Sequence, residues 1–231
     1  MRKLGLIGGM SWVSTRTYYE HINRIVQARA GRSASAPLLI ESLDFQPLCA
    51  LQDEADWDRA AGILADSAKR LEAAGAGAII IGANSMHRVY DKVAGAVQVP
   101  IFHIAECVGE RMEKEGVQSA ALLGTRNVMT ESFYRRRLVA HGVDLLPPDL
   151  RNVEELDRII YDELMLGKAS RNAERALKTM ITVLEQDGAQ AIVLACTELE
   201  MVVDVDANVL PIYDSTRIHA EKAAEWILGG D

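Results

Sequence analysis

The sequence predicts an α/β protein of two pseudo-symmetric lobes, each a parallel sheet flanked by helices, with the active site in the cleft between them. Three observations lead there. Short apolar runs alternate with amphipathic stretches along the 231 residues, the pattern of parallel strands covered on both faces. One stretch occurs twice: residues 74–87 (AGAGAIIIGANSMH) align without gaps on residues 187–200 (DGAQAIVLACTELE), an offset of 113. Two more pairs keep a similar spacing, Leu6–Met10 with Leu122–Arg126 (offset 116) and Val99–Phe102 with Leu210–Tyr213 (offset 111). Three matches in the same order imply two copies of one unit.

Residues 3–9 are expected to be a buried strand ending in glycines. A helix follows over Ser14–Ala30, with Ser14 or Thr15 as N-cap. Leu38–Ser42 is a second strand. Trp57–Ala73 is an amphipathic helix closed by Gly75. Ala78–Gly82 is a strand of apolar residues, and Val99–Ile104 another. The pattern then restarts. Ala120–Leu123 is a strand, Met129–His141 a helix and Val143–Leu146 a strand. Val153–Leu166 and Arg171–Gln186 are helices, Ala191–Ala195 is the counterpart of 78–82, Val209–Ile212 is a strand, and His219–Leu228 is a last helix. The expected lobes are 1–106 plus 209–231, and 107–208. The last helix is expected to cross back onto the first lobe.

Composition narrows the function. Apolar residues make up 49% and charged residues 25%, as in ordinary globular proteins. A net charge of −8 and a pI near 5.2 argue against nucleic-acid or anionic-membrane partners, which need basic surface. The cluster Arg135–Arg137 reads as one solvated helix face. The longest apolar run is too short to span a bilayer, and Leu4–Gly9 is too short and glycine-rich for a signal peptide. Three widely spaced cysteines, Cys49, Cys107 and Cys196, suit free thiols in a reducing cytoplasm. No zinc-type spacing exists and the five histidines are scattered, so no metal is expected.

Ligands of open parallel sheets bind beyond the carboxyl ends of the strands. The four tails are Gly8-Gly-Met-Ser11, Ala83-Asn-Ser85, Gly124-Thr-Arg126 and Cys196-Thr-Glu198. A cysteine at a strand tip before a helix can be activated as thiolate by backbone N–H groups and the helix dipole. A buried cysteine that merely packs is the alternative; the repeat context and polar successors of Cys196 favour chemistry. Cys49 and Cys107 lack that context. Asn84-Ser85 and Thr197-Glu198 together form a polar cradle. Gly8-Gly9 lacks the third glycine of a dinucleotide fingerprint. His87, His219, Gln52 and Asp53 are weaker candidates, equally at home as caps or solvated helix starts.

These residues resemble the aspartate/glutamate racemase superfamily, and within it the broad-specificity bacterial amino-acid racemase branch. The markers are Gly8-Gly-Met-Ser-Trp12 with Ser14-Thr15 and Tyr18-Tyr19, Asn84-Ser-Met-His87, Leu123-Gly-Thr125, Ala195-Cys-Thr-Glu198 and His219-Ala-Glu221. The resemblance implies a cofactor-independent homodimer that holds a small-molecule amino acid between two thiols, one removing the α-proton and one protonating the other face. It implies that Cys196 addresses the L-enantiomer. It carries over Asn84, Ser85, Thr197 and Glu198 as substrate-binding residues, and Met10, Ser11, Trp12 and Gln52 with them.

At the decisive place the sequence departs from that pattern. The first-lobe thiol position is Ala83, which cannot move a proton. Cys196 alone returns a proton only to the face it left, so racemisation is expected to be weak, one-directional or lost. Two alternatives are a one-thiol decarboxylase-like enzyme on the same scaffold, and a catalytically dead amino-acid-binding protein or engineered variant. An acidic substrate needs a cation near its distal carboxylate. Relatives place a lysine where this chain has Met165, which leaves Lys168 and Arg126 as candidates. Without one of them, a neutral amino acid fits better.

Overall fold

The computed structural model describes residues 1–49, 51 and 53–229. They form two compact units, Met1–Ile104 with His219–Asp231, and Ala105–Ile218. In the first unit β1 (Leu4–Gly8) leads into α1 (Trp12–Ala30), then β2 (Leu38–Ser42), α2 (Glu54–Ala73), β3 (Ala78–Ile81), a 3-10 turn over Ser85–Val89, α3 (Tyr90–Ala94) and β4 (Ile101–Phe102). The second unit holds α4 (Ile104–Glu115) from its second residue on, β5 (Ser119–Gly124), α5 (Arg126–Thr130), α6 (Ser132–Ala140), β6 (Asp144–Leu145), α7 (Leu150–Asp162), α8 (Arg171–Gln186), β7 (Ile192–Ala195) and β8 (Ile212–Asp214). A final helix, α9 (Ser215–Ile227), starts in the second unit and finishes in the first.

The two sheets have one topology. Their orders are β2-β1-β3-β4 and β6-β5-β7-β8, and every pair is parallel. The register supports the duplication residue by residue. Leu6, Ile80 and Phe102 lie in one row of the first sheet, and Leu122, Val193 and Tyr213 in one row of the second. Those pairs carry the three sequence offsets of 116, 113 and 111. Ala83 and Cys196 are therefore equivalent positions.

Period-two alternation splits each buried strand between two cores. On β3, Ala78 and Ile80 pack with Tyr18 and Ile22 of α1 and with Ala220, Ala223 and Ile227 of α9. Ile79 and Ile81 face α2 and α3, and Ala83 continues their side. On β7, Ile192 and Leu194 face α7 and α8, and Cys196 continues that side. Position 83 and position 196 thus leave their sheets on corresponding faces.

Several boundaries differ from expectation. The N-cap of α1 is Ser11, whose Oγ accepts from the Ser14 N–H at 3.4 Å. Thr15 does another job: its Oγ1 accepts from the Gly9 N–H at 2.7 Å and donates to Ser11 O at 3.0 Å. The helix expected over 129–141 breaks into α5 and α6 because Glu131 is extended (φ −88°, ψ 161°). The helix expected to end at Leu166 stops at Asp162; a 3-10 turn over Leu164–Leu166 closes on Gly167 in the left-handed region. The strand expected at 209–212 falls at 212–214 and pairs with β7. Residues 209–218 therefore belong to the second unit, not to the first as assigned from the sequence. No described helix is long and apolar enough to cross a membrane.

The turn after β1 depends on Gly9. Its φ is +87°, and a Cβ there would stand 2.1 Å from Leu43 O. Gly9→Ala combines a disfavoured φ with a backbone clash, and should cost about 3 kcal/mol or more. Urea unfolding checks this, and an unchanged midpoint would mean that the turn can relax.

Candidate active site

In the second unit, β7 runs straight into the site. Its apolar residues are fully buried and end in Cys196 (6% exposed), Thr197 (4%) and Glu198 (2%). The chain then tightens into a 3-10 turn at Leu199–Met201. A turn just before it, closed by the Leu199 N–H donating to Cys196 O at 3.2 Å, brings Glu198 back toward the cysteine. The Cys196 thiol donates to Glu198 Oε2 at 3.2 Å, and the Thr197 hydroxyl donates to the same oxygen at 2.5 Å. Burial pushes the Cys196 thiol well above its ordinary pKa, and the Glu198 charge adds to that. The activation expected from a helix dipole is replaced by the opposite effect, because a three-residue turn follows and a carboxylate sits beside the sulfur. The resting site holds a protonated thiol hydrogen-bonded to a carboxylate.

The neighbouring tip of β5 contributes Thr125, buried at the N-cap of α5, whose hydroxyl has no hydrogen-bond partner among the described residues. Arg126 follows. Its backbone N–H donates to Asp157 Oδ1 at 2.8 Å and its Nε to Asp157 Oδ2 at 3.2 Å. The charge of Asp157 also reaches the Cys196 thiol.

In the first unit the tip of β3 carries Ala83 (5% exposed) and Asn84 (4%), both buried, with Ser85 half-buried at the start of the 3-10 turn. Below them lies a cluster that the sequence did not reveal. His87, His103 and His219 are buried. The His87 ring centroid is 4.4 Å from that of His103 and 5.8 Å from that of His219. His219 sits 3.1 Å from Phe102 O through Nε2, and 2.8 Å from the Tyr18 hydroxyl through Nδ1. A carbonyl only accepts, so Nε2 carries the proton and Nδ1 accepts from Tyr18.

Burial pushes His219 down to about 4. The unfolded value is near 6.5, so as pH falls the unfolded chain takes up this proton first. The stability due to neutral His219 is whole above about pH 6.5 and is lost as pH falls toward 4, by up to roughly 3 kcal/mol. Urea unfolding from pH 7.5 to 4.5 should show the decline, and His219→Gln should flatten it. An equal slope in the variant would place the titration elsewhere.

The profile of the family described as Asp/Glu/Hydantoin racemase matches residues 7–223. The chain belongs to this racemase family. A curated relative, the broad specificity amino-acid racemase RacX of Bacillus subtilis (strain 168), is 23% identical over 226 residues, covering 97% of this chain and 98% of that one. Among solved structures, a candidate Asp/Glu racemase from Yersinia pestis is 41% identical with a TM-score of 0.89, covering 99% of this chain and 100% of that one. PH1733, an aspartate racemase homologue from Pyrococcus horikoshii OT3, is 34% identical with a TM-score of 0.86, over 99% and 100% of the two chains.

Within this racemase-family fold, the sequence-derived site residues fall into distinct settings. Cys196, Thr197 and Glu198 form one bonded group, and Ala83, Asn84 and Ser85 occupy the equivalent tip. Met10 is a core residue packed with Ile7 and Ile81. Ser11 is spent on capping α1. Trp12 is 60% exposed on the first turn of that helix. Gln52 lies outside the described residues. Asp53 caps α2, accepting from the Asp56 N–H. Met165 packs into the same core as Cys196, whereas Lys168 is exposed. Sequence reasoning missed Asp157 and the orphan hydroxyl of Thr125. The second was in view as part of the strand tail Gly124-Thr-Arg126 of the duplicated unit.

Proposed function

We propose that this chain is a cofactor-independent amino-acid racemase-type enzyme in which Cys196 moves the α-proton. The observation that carries this reading is the buried hydrogen bond from the Cys196 thiol to Glu198, placed at the strand tip that the duplication pairs with Ala83. The thiol proton passes along that bond to Glu198 Oε2 and leaves a thiolate. The thiolate takes the α-proton, and the electron pair spreads into the substrate carboxylate. Hydrogen-bond donors must meet that developing charge. The Thr125 hydroxyl is the donor assigned to it, while Thr197 keeps Glu198 oriented. In this reading Glu198 serves the thiol instead of binding the α-carboxylate, which its own charge would repel.

The duplication makes Ala83 the counterpart of Cys196, and its methyl group can supply no acid for the second face. The expected outcome is α-proton exchange with largely retained configuration and slow racemisation. Incubation with L-amino acids in deuterated water tests this, with exchange followed by NMR and chirality by chromatography. Fast D-product formation would overturn the role given to Ala83, and no exchange with any amino acid would overturn the reading itself. The reading includes a cytoplasmic homodimer.

One observation favours a second reading. The thiol is held protonated, as suits an acid that quenches a carbanion left by loss of carbon dioxide. Carbon dioxide release from a malonate-type substrate, without exchange on amino acids, would establish it.

A further inference from the structure

Two helices of the second unit, α4 and α6, meet through an imidazole. His141 closes α6, its backbone N–H donating to Leu138 O at 3.1 Å. Its ring lies against α4 where Gly109 leaves room: a Cβ there would stand 2.3 Å from His141 Cδ2. Glu106, Gly109 and Glu113 share one face of α4 by their spacing. The ring is 2.7 Å from Glu113 Oε2 through Nδ1 and 2.8 Å from Glu106 Oε2 through Nε2. Arg137 Nη1 donates to the other Glu106 oxygen at 2.6 Å. Ionised carboxylates only accept, so both ring nitrogens carry protons and the ring is an imidazolium. The four groups then balance, two negative and two positive. Elsewhere on the packed elements, Arg111 of α4 pairs with Glu115 at 3.7 Å. Arg135 of α6 donates to Leu145 O and Leu146 O, and Arg126 of α5 is bonded to Asp157. Glu110 and Lys114 of α4, Arg136 of α6 and Asp144 of β6 are exposed.

We propose that His141, gripped by Glu106 and Glu113, is a pH-sensitive clasp that holds α4 on α6 while protonated and lets α4 loosen as pH rises. The proposal is independent of the reaction assigned to Cys196. Losing the ring proton leaves a nitrogen lone pair facing a carboxylate and a surplus negative charge between the helices. The Glu113 and Glu106 hydrogen bonds hold the imidazole above its ordinary pKa. Stabilisation from the clasp is therefore whole below about pH 6.5, the unfolded value, and is lost as pH rises through the folded value. His219 in the first unit works in the opposite direction, so acid loosens one unit and alkali the other. The duplicated fold does not require the clasp. At the offsets that pair the two units, His141 answers to Ile25 (141 − 116) and Glu113 to Ala224 (113 + 111). Both of those pack in an apolar core of the first unit.

An NMR titration of the full chain between about pH 5.5 and 9.5 tests this through the His141 Cε1–H signal. Its midpoint should lie above the ordinary ~6.5. Glu113→Gln and Gly109→Ala should each lower it, the second by pushing the ring aside without removing a charge. Amide hydrogen exchange, corrected for its intrinsic pH dependence, should show α4 losing protection by about threefold or more across the same midpoint. In His141→Gln, α4 should be loosened at every pH and show no such step. Should Gly109→Ala fail to fold, Glu113→Gln, at an exposed position, still reports. A midpoint at or below the ordinary value, or unchanged α4 protection across it, would overturn the proposal.

Discussion

Ala83→Cys should raise the rate of D-product formation by about 10²–10⁴-fold, the range that a positioned acid or base contributes. Register makes residue 83 the counterpart of Cys196, on the corresponding face of its sheet. Alanine offers only a methyl group there, so the second face of a carbanion must be protonated by water or a hydroxyl. A thiol is the better donor. The site is buried, and the change adds one sulfur to an existing Cβ, so folding should tolerate it. Chiral chromatography of the product reads the effect directly. The exchange rate should change far less than the racemisation rate, because the first proton transfer belongs to Cys196. An unchanged racemisation rate would mean that another residue supplies the second proton.

The second large effect is loss. Cys196→Ala should abolish α-proton exchange, by at least about 10³-fold, with the fold retained. The substitution removes the sulfur from a position that already ends in a small residue on the equivalent tip. It also frees Glu198 Oε2 from one of its two donors. Glu198→Gln separates the roles. It leaves a group that still accepts from the thiol but can no longer take its proton, so exchange should slow. Exchange in deuterated water followed by NMR measures both. Exchange that survives in Cys196→Ala would exclude the thiol as base.

The fold was legible in the sequence because it is written twice. Apolar four- to six-residue runs specify parallel strands, and three aligned pairs specify their order; the rows Leu6–Ile80–Phe102 and Leu122–Val193–Tyr213 reproduce both. Position 196 was legible for the same reason. Other features were not, because they depend on local geometry that composition does not encode. The contact between Cys196 and Glu198 arises because the chain turns right after β7, with the Leu199 N–H bonded to Cys196 O, so that a side chain two residues on reaches back. The break between α5 and α6 rests on one extended residue, Glu131. The histidine cluster assembles from the 3-10 turn after β3, the end of β4, and α9, which lie far apart in sequence. The shift of residues 209–218 to the second unit follows from a strand that starts three residues later than its apolar run suggested.

The last helix has a consequence for how such a chain could arise. The helix after the final strand of each sheet is counted with the other unit. α4 leaves β4 of the first sheet, and its Glu106 bonds to Arg137 and His141 in the second unit. α9 leaves β8 of the second sheet, and its Ala220, Ala223 and Ile227 complete the core around Leu4 and Ile22 in the first. A half-length ancestor with one copy of the unit would have kept its own first helix on that core but sent the helix after its last strand elsewhere. It would have closed the core by exchanging the helix with a second molecule, as in domain swapping. On this account the duplication tethered a swapped pair that already existed. Once tethered, the two copies could diverge at single positions, and a thiol on one side could give way to a methyl group on the other without disturbing the shared core.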